Sequence, residues 1–206
     1  MARQIFFYDP PDRFVVGTVG APGERTFFLQ ARGQGQLTSV VLEKAQVAAL
    51  AERLDQLLDQ IVRASGGTAA VPAVAPIELD DSGPLEQPIV EEFRVGTLSL
   101  GWDPQAERIV IQAQAVGPDD ESSDDDGAVG SDDADDAESA TDAGSVFDDD
   151  VDGPDALRVR ISGAVARSFV KRALAIVAAG RPPCPLCGQP LDDDHICPRS
   201  NGHHPH

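Results

Sequence analysis

Histidine is missing from most of this chain, because all four histidines lie between residues 195 and 206. The residues before them carry no imidazole that could act as a general base or activate a nucleophile. A Gly-x4-Gly-Lys-Ser/Thr phosphate-binding loop is missing as well. These absences leave an enzyme, working through carboxylates or a bound cofactor, as the weakest of three functional hypotheses.

Long apolar runs are also lacking. The longest, residues 173–179, is far shorter than the roughly 20 apolar residues of a membrane-spanning helix. An early run, Ile5–Tyr8, is too short for the apolar centre of a signal peptide. Three cysteines cannot form a closed set of disulfides, and Cys184-x-x-Cys187 has the spacing of a metal site. We therefore predict a cytoplasmic protein that does not enter a membrane.

Basic residues are absent from one long segment. Residues 117–153 contain sixteen Asp or Glu and no Lys or Arg, so they carry most of the net charge of −19 and leave −3 for the rest. Their composition cannot bury enough apolar surface to order, which predicts a disordered acidic insertion. The stretch 148–153 matches the start of a calcium loop. A run so rich in Asp produces such a match easily, and Val159 replaces the Glu that the loop needs.

An internal repeat is the main feature that the sequence does contain. The stretch 14–19, Phe-Val-Val-Gly-Thr-Val, returns as 93–98, Phe-Arg-Val-Gly-Thr-Leu. Each copy is followed by a turn and by a second apolar strand that opens on Glu-Arg, at Glu24 and at Glu107. A repeat of this kind indicates the overall architecture, so it is interpreted before the individual strands and helices. The sequence therefore predicts one duplicated β-rich domain.

Both halves combine short strands with one amphipathic helix. In the first half, four β-prone stretches precede a helical stripe that ends at Gly66 and consists of Val47, Leu50, Leu54, Leu57, Leu58 and Ile61. In the second half, strands are predicted over 92–100, 108–116 and 156–161. A second stripe follows them, formed by Val165, Phe169, Ala173, Ile176 and Val177.

The predicted fold class is α+β, with a duplicated β-β-β(-β)-α unit that forms one pseudo-two-fold sheet domain with two helices, plus a C-terminal zinc knuckle. The first repeat covers residues 1–64. Residues 65–90, rich in Pro, Gly and Ala, form a linker. The second repeat covers 91–180 with the acidic insertion inside it, and 181–206 form the zinc-knuckle tail.

The tail carries the sharpest chemical signal. Cys184 and Cys187 precede a glycine, as in a zinc knuckle, where glycine lets the backbone turn tightly beneath the metal. Cys197 adds a third ligand, and either His195 or His203 could be the fourth. His195 is preferred, because His203 lies in a terminal run that tends to fray. Such a closed site leaves no position for water, so Zn²⁺ would be structural. The alternative is reduced thiols on a loose tail.

The residues 6–10, the two Phe-x-Val-Gly-Thr stretches and the tail Cys-Pro-Leu-Cys-Gly…His-x-Cys-Pro-Arg-x-Asn-Gly resemble an uncharacterised family of actinobacterial proteins, known only as a domain of unknown function. The resemblance covers nearly the whole chain apart from the linker and the acidic insertion. It implies a cytosolic protein of unassigned activity. In that family the residues after Asn-Gly need not be histidine, which supports His195 over His203.

The leading functional hypothesis is a non-catalytic binding or adaptor module, in which the sheet presents a surface and the zinc knuckle docks a protein partner. The first alternative is nucleic-acid binding, because a duplicated ββββα unit is similar in outline to the PUR and whirly single-strand binders. The residual negative charge and the few aromatic residues argue against nucleic-acid binding.

A set of cations in the second half could hold phosphate, form a solvated face or be screened by the acidic insertion: Arg158, Arg160, Arg167, Lys171, Arg172 and Arg181.

Overall fold

The computed structural model describes residues 3–21, 23–117, 153–179, 186–187 and 197. In this part of the chain, short apolar stretches form seven strands and two amphipathic stripes form two α-helices. The strands are β1 (Ile5–Tyr8), β2 (Arg13–Val19), β3 (Thr26–Gly33), β4 (Gln36–Leu42), β5 (Glu91–Asp103), β6 (Arg108–Ala115) and β7 (Ala156–Ile161). The helices are α1 (Lys44–Ala64) and α2 (Gly163–Ala178), and Ile77–Leu79 form a short 3₁₀ helix. The predicted acidic insertion lies outside the described residues apart from its end glycines, Gly117 and Gly153.

The strands form one mixed sheet in the order β1-β7-β6-β5-β4-β3-β2. The pairs β1–β7 and β4–β5 are parallel, and the remaining pairs are antiparallel. The predicted α+β class is therefore confirmed, with a mixed seven-stranded sheet and two helices. No helix among the described residues is long and apolar enough to cross a membrane.

The sheet is strongly curved, because its two edge strands are joined by a very short connection. Only residues 9–12 link β1 at one edge to β2 at the other, and an extended residue spans at most about 3.5 Å. The Tyr8 hydroxyl accordingly lies 2.8 Å from the Thr38 hydroxyl in β4, and the Asp12 amide donates to the Arg32 carbonyl at 2.7 Å. The edge of β1 that faces away from β7 thereby lies near the start of β4.

Both helices pack on one face of this sheet and share a single core. At the start of α1 the Glu43 amide donates to the Gln46 side-chain oxygen at 2.9 Å in a capping box, and at the start of α2 the Ser162 side chain accepts from the Val165 amide. Phe14 of β2 stacks on Phe169 of α2 with ring centroids 4.8 Å apart. Both predicted helical stripes face this core, which contains buried residues from all seven strands and from both helices.

The predicted pseudo-two-fold arrangement stays a prediction. A two-fold axis perpendicular to a flat sheet would reverse the order of the second set of strands and place β7 beside β4. The sheet instead has β5 beside β4, and β5, β6 and β7 run in the directions of β2, β3 and β4 respectively. The two sets therefore follow one another around the curved sheet, an order that rotation about the axis of curvature also produces. The duplication itself stays a prediction.

Residues 65–90, the predicted linker, pack closely on the rest of the fold. We call residues 71–86 the strap. Val71 is buried at the start of α2, where a Cβ on Gly163 would lie 2.7 Å from its side chain. The strap then passes the outer edge of β2 and buries Leu85 on the opposite face of the sheet, against Val15, Phe28 and Val41. It thus joins the helix layer to the far face.

The packing of Leu85 explains why the first Phe-x-Val-Gly-Thr stretch has a glycine at position 17, in β2. A Cβ at this position would lie 2.5 Å from Cγ of Leu85 in the strap, closer than carbon atoms can approach. At Gly96, the matching glycine in β5, a Cβ would instead lie 3.0 Å from the backbone Cα of Val116. The two glycines therefore make room for different neighbours.

Candidate interaction surfaces

Most of the predicted cation set in the second half is bound to carboxylates within the fold. The pairs are Arg160 with Asp9 and Asp103, Arg167 with Asp55 and Asp59, Lys171 with Asp80, and Arg172 with Asp81. Arg158 donates to the side chain of Gln112 at 2.6 Å, and Arg181 lies outside the described residues. These paired cations are therefore not available as a phosphate-binding face. Nucleic-acid binding stays a prediction.

Asp81 fixes the middle of the strap through two guanidinium groups. Arg13 of β2 donates to it from Nε at 2.6 Å and from Nη2 at 2.9 Å, a bidentate pair, and Arg172 of α2 donates from Nη1 at 3.0 Å. Arg172 also donates to the carbonyls of Val16, at 2.6 Å, and of Gly83, at 2.8 Å. The hydrogen bond from Arg13 lowers the pKa of Asp81, whereas burial lowers the pKa of Arg172.

Arg167 fixes the first part of the strap to both helices. It is buried, donates from Nε to the Pro72 carbonyl at 3.1 Å, and forms ion pairs with Asp55 and Asp59 of α1. The hydrogen bond from Arg167 lowers the pKa of Asp59. Together with the cluster around Asp81, these contacts hold the strap at two separate points along α2.

A cavity of about 500 Å³ lies beside the Asp81 cluster, between β2, α2 and the strap. Its polar lining includes Arg13, Arg172 and Ser168. The donors of both arginines are directed at Asp81 and at carbonyl groups of β2 and the strap. Their arrangement thus serves to hold the strap, and we assign the cavity no ligand.

The strap exposes apolar side chains between its two fixed points. Val74 is 75% exposed, Ile77 is 81% exposed, and Leu79 is also exposed. Single exposed apolar residues are normal on protein surfaces. Here three occur within six positions, on a segment that Arg167 and Asp81 hold in place. This part of the strap is the first candidate interaction surface.

A second candidate surface lies at the curved end of the sheet, where β1 approaches the start of β4. We call this cavity of about 550 Å³ the edge slot. One wall is β1, with exposed Ile5 and half-exposed Phe7, and the lining also includes Thr38, whose hydroxyl is hydrogen-bonded to that of Tyr8. The lining residues are Gln4, Ile5, Phe6, Phe7, Gln36, Leu37, Thr38 and Glu92.

The predicted zinc ligands lie mostly outside the described residues. Cys184, His195 and the alternative ligand His203 are not among them, whereas Cys187 is half-buried and Cys197 is buried. Within the described part no group of three or more candidate ligands comes together. The four-ligand site, with its zinc ion, therefore stays a prediction.

Comparison with known proteins gives a family and no activity. A family model described as "Protein of unknown function (DUF3090)" matches residues 6–197. The chain belongs to the DUF3090 family. No curated protein and no solved structure matches it. The DUF3090 match includes most of β1, the whole strap and all four predicted zinc ligands, Cys184, Cys187, His195 and Cys197. It ends before His203.

Neither the strap surface nor the edge slot is predicted from the sequence. The strap has no regular period, although Val74, Ile77 and Leu79 stand out as apolar residues in a proline-bounded stretch. For the edge slot, the available signal is that Ile5–Tyr8 contains no charged residue, proline or glycine. That signal has meaning only once β1 is known to be an edge strand.

Proposed function

We propose that this DUF3090 protein is a non-catalytic binding module that docks a protein partner on the strap surface, with a structural zinc site in its tail. The observation that carries the proposal is the exposure of Val74 and Ile77 on a segment held at both ends by ion pairs and hydrogen bonds. A rigid apolar surface can bind with little ordering cost, which favours affinity. An unanchored loop of the same composition would lose more conformational entropy on binding.

An affinity pull-down tests the docking surface. We expect full-length protein to retain a specific partner from nuclease-treated extract, and Ile77→Asp to lose it because a charge replaces an exposed apolar contact. Leu174→Asp is the matched control, since Leu174 is also apolar and exposed but lies on α2. Equal recovery with both variants would contradict docking on the strap. Recovery of nucleic acid alone, before nuclease treatment, would favour the nucleic-acid alternative.

The zinc site is the second part of the proposal. Three thiolates and one imidazole suit tetrahedral Zn²⁺, and the family match spans all four proposed ligands while leaving out His203. With all four positions filled by protein, the ion would hold the tail in shape and would activate no water. We therefore assign Cys184, Cys187, Cys197 and His195 as ligands of one structural zinc ion.

Elemental analysis of protein purified under reducing conditions should find about one zinc per chain. Cys187→Ser should lower that content strongly, because a hydroxyl replaces a thiolate ligand. His203→Ala should leave it unchanged, whereas His195→Ala should reduce it. Zinc-free wild-type protein would contradict the site, and loss with His203→Ala alone would move the fourth ligand to His203.

A further inference from the structure

The two edges of the sheet are treated differently. At the β2 edge, the strap passes alongside and Arg172 donates to the outward-facing carbonyl of Val16. At the other edge, β7 is the only described strand that is hydrogen-bonded to β1. Natural edge strands are usually very short or carry charges, proline or bulges that prevent further pairing. Ile5–Tyr8 is only four residues long, but it contains no charge and no proline. The β1 edge thus has the composition of a strand that pairs.

The backbone groups of β1 that face away from β7 can be assigned from one hydrogen bond. The Ala156 amide donates to the Gln4 carbonyl at 2.9 Å, so Gln4 faces β7. Because successive residues of a strand alternate, Phe6 and Tyr8 also face β7. Ile5 and Phe7 therefore turn their N–H and C=O groups outward, toward the edge slot.

The opposite wall of the edge slot offers backbone groups as well. Ser39 and Val41 of β4 pair with β5, whose first residue, Glu91, lies opposite Ser39. Leu37 precedes Ser39 by two residues, so its backbone turns to the same side. It does so beyond the start of β5, where the edge slot begins. Two strand edges therefore face one another across the cavity.

We propose that the edge slot binds an extended peptide segment of a partner protein as an added strand. The peptide pairs with the outward backbone groups of Ile5 and Phe7, as in other strand-addition complexes, and its alternate side chains contact these two apolar residues. Glu92 is the one charged residue in the lining and it is negative, so the favoured peptide is basic. This inference rests on the binding function proposed above and adds the class of partner.

The test is selection from a displayed random-peptide library on full-length protein, followed by affinity measurement with the enriched peptides. We expect peptides that alternate β-branched or aromatic residues with Lys or Arg. Phe7→Pro should weaken their binding by roughly tenfold or more, because it removes an outward N–H without removing a bond to β7. Ile5→Pro, nearer the strand end, tests the same point if Phe7→Pro lowers the melting temperature.

Leu174→Ser serves as the control, since it removes an exposed apolar side chain on α2, outside both candidate surfaces. It should leave peptide affinity unchanged. Equal enrichment on wild type and both proline variants would overturn the proposal, as would no enrichment at all. If sedimentation showed a wild-type dimer and a monomeric Phe7→Pro variant, the β1 edge would bind a second copy of the chain instead of a peptide. Binding that appears only after residues 181–206 are deleted would assign it to the tail. Each of these results leaves the strap-dependent pull-down standing, so the two proposals fail separately.

Discussion

Leu54→Asp should abolish cooperative folding of the whole chain. Leu54 is fully buried on α1, within the core that both helices and both sets of strands share. Removing a buried leucine side chain costs about 2–5 kcal/mol, and burying a charge without a partner costs several more. That sum approaches the roughly 5–15 kcal/mol that stabilises a typical domain. Circular dichroism during thermal or urea unfolding measures the outcome.

The control for this change is Leu174→Asp, the same substitution at a leucine that is 48% exposed on α2. It should shift the midpoint of unfolding only slightly.

A second test is the behaviour of the second half, residues 91–180, when it is expressed alone. Because β5 pairs with β4 and α2 packs on both α1 and β2, that half should not fold by itself. A sharp independent unfolding transition would instead show two domains joined by the strap.

The positions of strands and helices follow from the sequence because their signals are local. The stripe from Val47 to Ile61 reports which side of α1 is apolar, and burial confirms that face. The apolar runs of β2 and β3 mark strands that are buried on both faces, with the helices on one side and Leu85 on the other. The bounds are less local. β5 continues to Asp103, beyond the predicted end at residue 100, because pairing with β6 extends along the hairpin to Arg108.

The arrangement of these elements does not follow from the same signals. An internal repeat indicates which elements correspond, but the operation that relates them depends on strand pairing across the sheet. Here β4 pairs with β5 after a crossover through α1 and the strap, and the repeat alone does not predict that pairing. The strap contacts are similarly long-range, since Leu85 needs the space above Gly17 and Asp81 needs Arg13 and Arg172. No periodicity reports such contacts.

Asp81→Asn should destabilise the protein at neutral pH by about 1–3 kcal/mol, because it leaves two charged arginines without their shared carboxylate. This range is below that of a fully buried pair, since Asp81 is about one-third exposed and solvent screens it. Asp80→Asn is a close control. Asp80 is adjacent and pairs with Lys171, but both side chains are well exposed, so the change should cost about 0–1 kcal/mol.

The pH dependence of this difference identifies its cause. The hydrogen bond from Arg13 lowers the pKa of Asp81 in the folded state, so the unfolded chain takes up protons first as pH falls. The stability contributed by Asp81 is therefore complete above its unfolded pKa, near 4, and is lost as pH falls through the lower folded pKa. The gap between wild type and Asp81→Asn in urea unfolding should be constant from neutral pH to about 5 and then close in acid. Asp59 and Asp103, whose pKa values are also lowered, contribute equally to both proteins. A gap that persisted unchanged below pH 3 would mean that the amide disturbs packing of the strap, and that the charge of Asp81 contributes little.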